Sequence, residues 1–462
     1  MRILLILFIF ITPFFAYSQS KIDSVRIQIE KNFNDKNAEK IYELAGNSFR
    51  KAINEKDFAQ ISKPLFTQLG KWNSSEFLKR DGKVNHYKAS FERATQNFFL
   101  SLDEEGKFET LLFQPFEAPI KQKEALAETD NPMKSKLDST VEKLVRPYIQ
   151  KENTMGLCMA VIQDENVKYY SYGETKRGNG ELPKYDKTLF EIGSVSKTFT
   201  ALLLANEVVN GRMSLDDPIT KYLPDSIKNM SYKDKPITLV TLSNHNSGFP
   251  RLPMNLYQKG DPVDNPYKNY DINRLFTYLK NFKPYREVGG QYEYSNLAVG
   301  LLGTLIAQNN QTTYEQILLK NVCKPLHLKN TKITLGKKDK LAQGYGVNGK
   351  EASPWGLNAL EGAGGIRSTV EDMSKYIQAN LKPATLKEAI ELTHKSTTTV
   401  DKRNVGLGWH IQNVGTNEII VHNGQTGGYV AFAGFDKNRQ IGVVILTNGS
   451  VEVNNIGLGL LK

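Results

Sequence analysis

Apolar positions recur along this chain in two registers. From residue 37 they return every three or four residues, with Ile41, Leu44, Ala45, Phe49 and Ile53 on one face, which predicts an amphipathic helix; a second short helix is expected over residues 58–69. The period then falls to two. Residues 84–91, 95–102 and 107–113 alternate apolar or aromatic side chains with polar ones, and Asp103-Glu104-Glu105-Gly106 marks a hairpin turn. Helices packed on a curved antiparallel sheet make a small α+β unit, assigned to residues 19–116. Residues 117–132 are rich in Pro, Lys, Glu and Ala without apolar periodicity and read as a linker.

A larger unit, residues 133–462, opens with an amphipathic helix over 137–150. Residues 156–163 and 167–173 form a hairpin about Asp164-Glu165-Asn166. A mostly helical, loop-rich stretch runs to about residue 381, and strands return at 408–414, 419–422, 429–436 and 441–448. The order is sheet, long helical insert, sheet.

The first 18 residues stand apart. Met1 and Arg2 precede an apolar run from Ile3 to Phe15, and Ala16-Tyr17-Ser18 offers small residues for cleavage, so residues 1–18 read as a secretory signal peptide with an uncleaved anchor as the alternative. Export to the periplasm or medium is the expectation, with no stable membrane insertion after cleavage. A 462-residue chain that is 40% hydrophobic has room for two domains and a large core. Only Cys158 and Cys323 are present, which excludes a disulfide scaffold and favours two buried thiols. The formal charge of +11 comes from scattered lysines, without the arginine clusters of a nucleic-acid surface, so no nucleic-acid partner is expected. The six histidines show no metal-ligand spacing, and no metal is expected.

The chemistry concentrates at residues 193–205. Ser194 and Lys197 lie one helical turn apart, so their side chains share a face, and the run that follows is almost wholly apolar. Serine attacks poorly until its proton is removed, and lysine with its usual pKa of about 10.4 is protonated. Bringing that amine to about 7.5 needs roughly 4 kcal/mol, most of it from desolvation because a helix N-terminus supplies only about 0.3–2 kcal/mol. The apolar run makes such burial reasonable, and unbonded N–H groups at the helix start offer an oxyanion donor. The ordinary alternative is an N-cap serine with a snorkelling lysine. Two further elements bear on the choice. Tyr294-Ser295-Asn296 opens the apolar helix 297–307, and beside a serine–lysine pair a tyrosine can shuttle a proton while an asparagine amide holds the amine. The same Tyr-x-Asn pattern at Tyr267 and Asn269 sits in a polar loop. His422-Asn423-Gly424-Gln425 leaves a strand into a glycine-rich turn, where a substrate backbone can approach closely.

Ser-x-x-Lys, Tyr-x-Asn and His-x-Gly in this order resemble the serine β-lactamase and penicillin-binding-protein superfamily, nearest its class C and esterase-like branch. Leu242 to Pro250, Pro325 to Leu328 and Gly362 to Thr369 are similar to the same family. The smaller unit resembles nuclear-transport-factor-like domains in pattern. The resemblance implies an antiparallel sheet flanked by helices with a helical insert, and an acyl-enzyme on Ser194. Lys197 would take the serine proton, Tyr294 would pass protons, and Asn296 would hold Lys197 and substrate. Backbone N–H groups of Ser194 and Gln425 would form the oxyanion hole, with His422 and Gly424 beside the substrate and no cofactor.

Where lactamases carry Lys-Thr-Gly, this chain has His422-Asn423-Gly424. That points to esters, amides or peptides of the cell envelope, including peptidoglycan. A true class C-like β-lactamase, a D-Ala-D-Ala carboxypeptidase and a non-catalytic envelope binder or sensor are the alternatives. If His422 keeps its ordinary pKa near 6.5 and touches substrate, carboxylate-bearing substrates should gain at low pH.

Overall fold

The computed structural model describes residues 13–116, 121–400, 403–414 and 417–462. The chain forms two compact units, Met1–Pro119 and Ile120–Lys462. The signal-peptide reading falls outside the described residues as far as residue 12.

The smaller unit begins with a helix that the sequence reading did not anticipate, α1 (Pro13–Asn34). Ile22, Val25, Ile29 and Phe33 are buried at spacings of three and four, as an amphipathic helix requires. Helices α2 (Ala38–Tyr42), α3 (Asn47–Ala52) and α4 (Glu55–Leu69) follow, the last capped by Asn54, whose Oδ1 accepts the Asp57 N–H at 3.0 Å. Four strands then form an antiparallel sheet in chain order: β1 (Trp72–Asp81), β2 (Val84–Phe91), β3 (Thr95–Leu102) and β4 (Phe108–Pro115). Strand β1 escaped the periodicity argument because almost all its side chains face solvent. Edge-to-face rings fill the core, with Trp72 centred 5.0 Å from Phe98 and Phe33 centred 4.8 Å from Phe66.

In the larger unit α5 (Lys136–Ile149) precedes the hairpin of β5 (Gly156–Gln163) and β6 (Asn166–Gly173). The short strand β7 (Thr188–Glu191) leads into α6 (Ser196–Val209), and α7 (Asn296–Asn309) and α8 (Val370–Leu381) are the other main helices of the insert. Strands β8 (Thr398–Val400), β9 (Arg403–Val405), β10 (His410–Val414), β11 (Asn417–Gln425), β12 (Val430–Asp436) and β13 (Ile441–Thr447) close the sheet, and α9 (Asn454–Leu461) ends the chain. The eight-stranded sheet runs in the order β8-β9-β10-β11-β12-β13-β5-β6, each neighbouring pair antiparallel. The hairpin before the insert therefore adds to the strands after it, as the order sheet, insert, sheet implies.

The central strands read as nearly unbroken apolar runs because both faces are covered. Cys158, Ala160, Ile162, Val444 and Leu446 belong to the core shared with α6 and α7, whereas Leu157, Met159, Val161, Val443 and Ile445 pack in a second core with α5 and α9. Helix α6 is buried all round from Ser196 to Ala205, so its N-terminus is fixed deep in the unit. Both cysteines are buried and free. No described helix is long and apolar enough to cross a membrane.

The linker reading for 117–132 needs correction over residues 121–132; residues 117–120 lie outside the described residues. Residues 121–132 are bound to the larger unit: Lys123 N donates to Gln150 O at 2.6 Å, Arg146 Nη1 to Ala127 O at 2.6 Å, and buried Asn131 Nδ2 to the Tyr172 hydroxyl at 2.8 Å. Polar and backbone bonds hold the segment, so it leaves no apolar period to read. A chain starting at residue 133 should accordingly be less stable than one starting at 121, by about 2–4 kcal/mol for several lost bonds of about 1 kcal/mol each. Denaturant unfolding of the two truncated chains checks this, and equal midpoints would show that the segment contributes nothing.

Candidate active site

The site starts from the end of β7. Gly193 takes φ of +49°, a left-handed conformation suited to glycine, and the chain turns through a 3-10 turn, Gly193–Val195, into α6. Gly193 also has no room for a side chain, since a Cβ there would lie 2.7 Å from the backbone N of Gln425. On the opposing strand, a Cβ at Gly424 would lie 2.0 Å from Ile192 O and 3.1 Å from Ser194 N. Two glycines thus bring the end of β11 against the turn carrying Ser194, and the Gln425 backbone against Gly193.

Lys197 is only 1% exposed, and its Nζ has three oxygen neighbours: Ser194 Oγ at 3.0 Å, Asn296 Oδ1 at 2.9 Å and Ala363 O at 2.6 Å. Burial, reinforced by the Arg251 charge, lowers its pKa well below 10.5. A neutral amine has two N–H donors and one lone pair. Ala363 O can only accept, and Asn296 is oriented because its Nδ2 donates to the Tyr267 hydroxyl at 3.3 Å, which leaves Oδ1 facing the amine. Both N–H bonds are therefore used, and the lone pair faces the remaining neighbour, the Ser194 hydroxyl. That is the geometry of a base receiving the serine proton.

Tyr294 hydrogen-bonds Ser194, and its ring centre lies 4.9 Å from Lys197 Nζ. Burial first, opposed by the Ser194 hydrogen bond and Arg251, raises its pKa above the ordinary 10, so it is a neutral phenol throughout the neutral range. Tyr294 and Asn296 are held by a second loop. His245 O accepts the Glu293 N–H at 2.7 Å, His245 Nδ1 accepts the Ser295 N–H at 3.1 Å, Ser295 Oγ donates to Pro250 O at 2.7 Å, and Arg251 O accepts the Asn296 N–H at 2.9 Å. The His245 ring also packs against Tyr294, with centres 4.3 Å apart.

The structure therefore brings Ser194, Lys197, Tyr294 and Asn296 together and sets Gly424 and the Gln425 backbone beside them. His422 is buried at the same place, its ring 6.4 Å from Tyr294 and 5.1 Å from His410, with Nδ1 donating to Asn423 O at 2.6 Å. Burial, with His410 and Lys197 adding to it, pushes its pKa well below 6.5. The condition that His422 keeps its ordinary pKa near 6.5 is thus corrected: burial favours the neutral imidazole and moves its protonation to lower pH. Four groups escaped the sequence reading. The Ala363 carbonyl has no side-chain signature, and His245 and His410 are single histidines without ligand spacing. Tyr267 belongs to the Tyr-x-Asn copy in a loop, yet it is buried beside Asn296.

A serine whose hydroxyl faces the lone pair of a buried neutral lysine, with a tyrosine as third partner, defines a serine hydrolase of the acyl-transfer type. A sequence profile described as Beta-lactamase matches residues 141–457, and the chain belongs to that family. A beta-lactamase of Pseudomonas fluorescens is 31% identical over 351 residues, covering 68% of this chain and 92% of the relative. One from Escherichia coli K12 is 28% identical over 352 residues, covering 68% and 89%. Among solved structures, a class C beta-lactamase superimposes with a TM-score of 0.63 at 23% identity, over 72% of this chain and 97% of its own. A beta-lactamase/D-alanine carboxypeptidase from Pseudomonas syringae gives 0.62 at 23% identity, over 70% and 99%.

Two measurements test this geometry. His245 has φ of +60°, which Asn tolerates better than other non-glycine residues, and an Asn carbonyl can replace Nδ1 as the acceptor of the Ser295 N–H. His245→Asn should keep most of kcat, whereas His245→Phe should cost about 1–3 kcal/mol of stability through the unpaired N–H and lower kcat at least tenfold with KM little changed. Equal kcat values for the two variants would sink the positioning role. The second concerns acid stability. Burial lowers the His410 pKa to about 4 and the His394 pKa to about 3. Unfolded histidines take up protons near pH 6.5, so between those values the unfolded chain binds more protons and stability falls as pH drops, by about 1.4 kcal/mol per unit for each histidine. Thermal midpoints should fall steeply from pH 7 to pH 4. In His394→Gln, whose amide can keep the bond to Asn380 Oδ1 at 2.8 Å, the slope should be shallower; an unchanged slope would contradict the assignment.

Proposed function

We propose that this protein is an exported hydrolase that cleaves an ester, amide or peptide of the cell envelope through an acyl-enzyme on Ser194. The observation that carries the reading is the buried Lys197 amine, whose Nζ lies within hydrogen-bond distance of Ser194 Oγ, Asn296 Oδ1 and Ala363 O, so that its neutral form can give its two N–H groups to Asn296 and Ala363 and take the serine proton on its lone pair. Ser194 Oγ attacks the carbonyl carbon while its proton moves to Lys197 Nζ, forming a C–O bond and a tetrahedral oxyanion. The Ser194 and Gln425 N–H groups, adjacent through Gly193 and Gly424, receive that charge.

Tyr294, a neutral phenol bonded to Ser194, relays the proton from Lys197 to the leaving oxygen or nitrogen as the carbonyl–leaving-group bond breaks. Water then attacks the acyl-enzyme, and the same relay runs in reverse to restore Ser194. Asn296, beside Lys197, also faces the substrate. His422 and Gly424 shape the neighbouring wall. Neutral His422 in place of the lactamase lysine favours esters and peptides over penicillins at neutral pH. The smaller unit, of nuclear-transport-factor-like type in this reading, serves as a binding or spacer module outside the chemistry.

A fluorophosphonate should add one adduct to the intact mass, absent in Ser194→Ala; equal labelling of that variant would refute the nucleophile. Lys197→Ala should lose at least a hundredfold in kcat/KM toward a p-nitrophenyl ester while remaining folded. Because Lys197 must be neutral, activity should fall on the acid side of its lowered pKa and stay level from there to pH 9. A rate that climbs tenfold per unit up to pH 10 would mean an ordinary exposed lysine.

A further inference from the structure

Arg251 stands at the rim of this site. Its main chain is fully engaged: N donates to Glu293 Oε1 at 3.2 Å, and O accepts from Asn296 N at 2.9 Å and Leu297 N at 3.3 Å. Its side chain is exposed, and the guanidinium Cζ lies 5.1 Å from the centre of the Tyr294 ring. Several other arginines also lie over a tyrosine ring, so the ring contact is not what sets Arg251 apart; its lack of an acceptor is. Among the described residues, every other arginine except Arg403 donates to a carboxylate or a main-chain carbonyl, as Arg286 does to Glu293 and Arg367 to Glu191. Arg403 lies 4.6 Å from the Tyr292 ring centre and hydrogen-bonds that side chain. Arg251 has neither kind of acceptor. Glu293, the carboxylate nearest its backbone, is taken by Arg286.

The surroundings make this guanidinium the fixed charge nearest the reacting groups. Burial lowers the pKa of Lys197 well below its ordinary value, and His245, His410 and His422 also have pKa values lowered by burial. The field of Arg251 reaches the site, because it contributes to the shifts of both Lys197 and Tyr294. An aromatic face holds a guanidinium in place through its π-cloud while leaving the N–H edge unspent. A guanidinium with a free edge beside a nucleophile suits a planar, bidentate anion, and a carboxylate is the anion that matches its spacing.

We propose that Arg251 is the anion-recognition group of the active site, taking a carboxylate of the acyl substrate across the Tyr294 ring. Building on the hydrolase reading, this gives a substrate class: esters or peptides bearing a free carboxylate near the scissile bond. The cation stands on the tyrosine side of the cleft and not at position 422.

Matched pairs of substrates test it on the full chain. One pair puts the charge on the acyl side, p-nitrophenyl hemisuccinate against p-nitrophenyl butyrate; the other puts it on the leaving group, the butyrate ester of 4-hydroxybenzoate against that of 4-hydroxybenzamide. In at least one pair the anionic substrate should have the higher kcat/KM by about tenfold or more, the contribution of a charge-assisted hydrogen bond. Arg251→Met should abolish that ratio, Arg251→Glu should invert it, and Arg251→Lys should retain part of it. Arg403→Met should change it less than about threefold. Fluorophosphonate labelling of Ser194 in each variant confirms that the site has formed. A ratio near one in the wild type for both pairs, or a ratio that survives in Arg251→Met, overturns the proposal. If the wild type neither labels nor hydrolyses any of the four esters, the hydrolase reading itself fails.

Discussion

The burial of one amine constrains everything around it. A charged lysine at the position of Lys197 would have to give up its hydration without a carboxylate to replace it, so burial pushes its pKa well below the ordinary value and favours the neutral form. A neutral amine still has two N–H groups, and leaving either unpaired in the interior would cost about 1–3 kcal/mol. The chain answers with two acceptors from segments far away in sequence, Asn296 at the start of α7 and the carbonyl of Ala363. Each is then supported in turn. Asn296 is oriented by Tyr267, and the segment after Ala363 is pinned where Arg367 donates to Glu191 at 2.9 Å, three residues before Ser194. Satisfying one buried group thus ties β7, α6, α7 and the loop before α8 into a single arrangement.

The same economy sets the electrostatics. Besides lysine and tyrosine, three imidazoles surround the site, and all of these groups have pKa values displaced towards their neutral forms by burial. Groups biased towards their neutral forms leave the oxyanion and the newly protonated Lys197 as the principal charges that develop during attack. Permanent cations are kept at the rim on aromatic faces, where solvent reaches them. A second lysine on β11 would oppose the protonation of Lys197 during acylation; neutral His422 adds no such repulsion.

The legible part of this design is the part written in side chains. Ser194 and Lys197 were readable because nucleophile and base must share one helical face, and the apolar run after them signalled burial. The central strands of the large sheet were readable because both faces are covered, which gives runs such as residues 157–162 and 443–447 little alternative, whereas the short edge strands β8 and β9 were not anticipated. What escaped was written elsewhere. The Ala363 carbonyl belongs to the backbone, β1 is a strand with a wet face, and residues 121–132 are held by polar contacts with no periodicity. Tyr267 looked like a loop residue because its burial comes from the fold around it and not from its sequence neighbours. His422 shows the converse: the residue was visible, but its charge state depended on a burial that no local pattern encodes.

The close approach of β11 to the Ser194 turn links sheet and chemistry. The proposed oxyanion donors, the backbone N–H groups of Ser194 and Gln425, come from two elements that lie closer here than a Cβ permits, and both sides of the contact are glycine, Gly193 and Gly424. Such closeness is useful only if neither element can drift. Strand β11 is hydrogen-bonded to β10 on one side and β12 on the other, and α6 is buried from its first residue, so each partner is held by its own core before they meet. Rigid, separately anchored walls are what allow a glycine contact to fix a pair of donors, instead of leaving a flexible gap that water would fill.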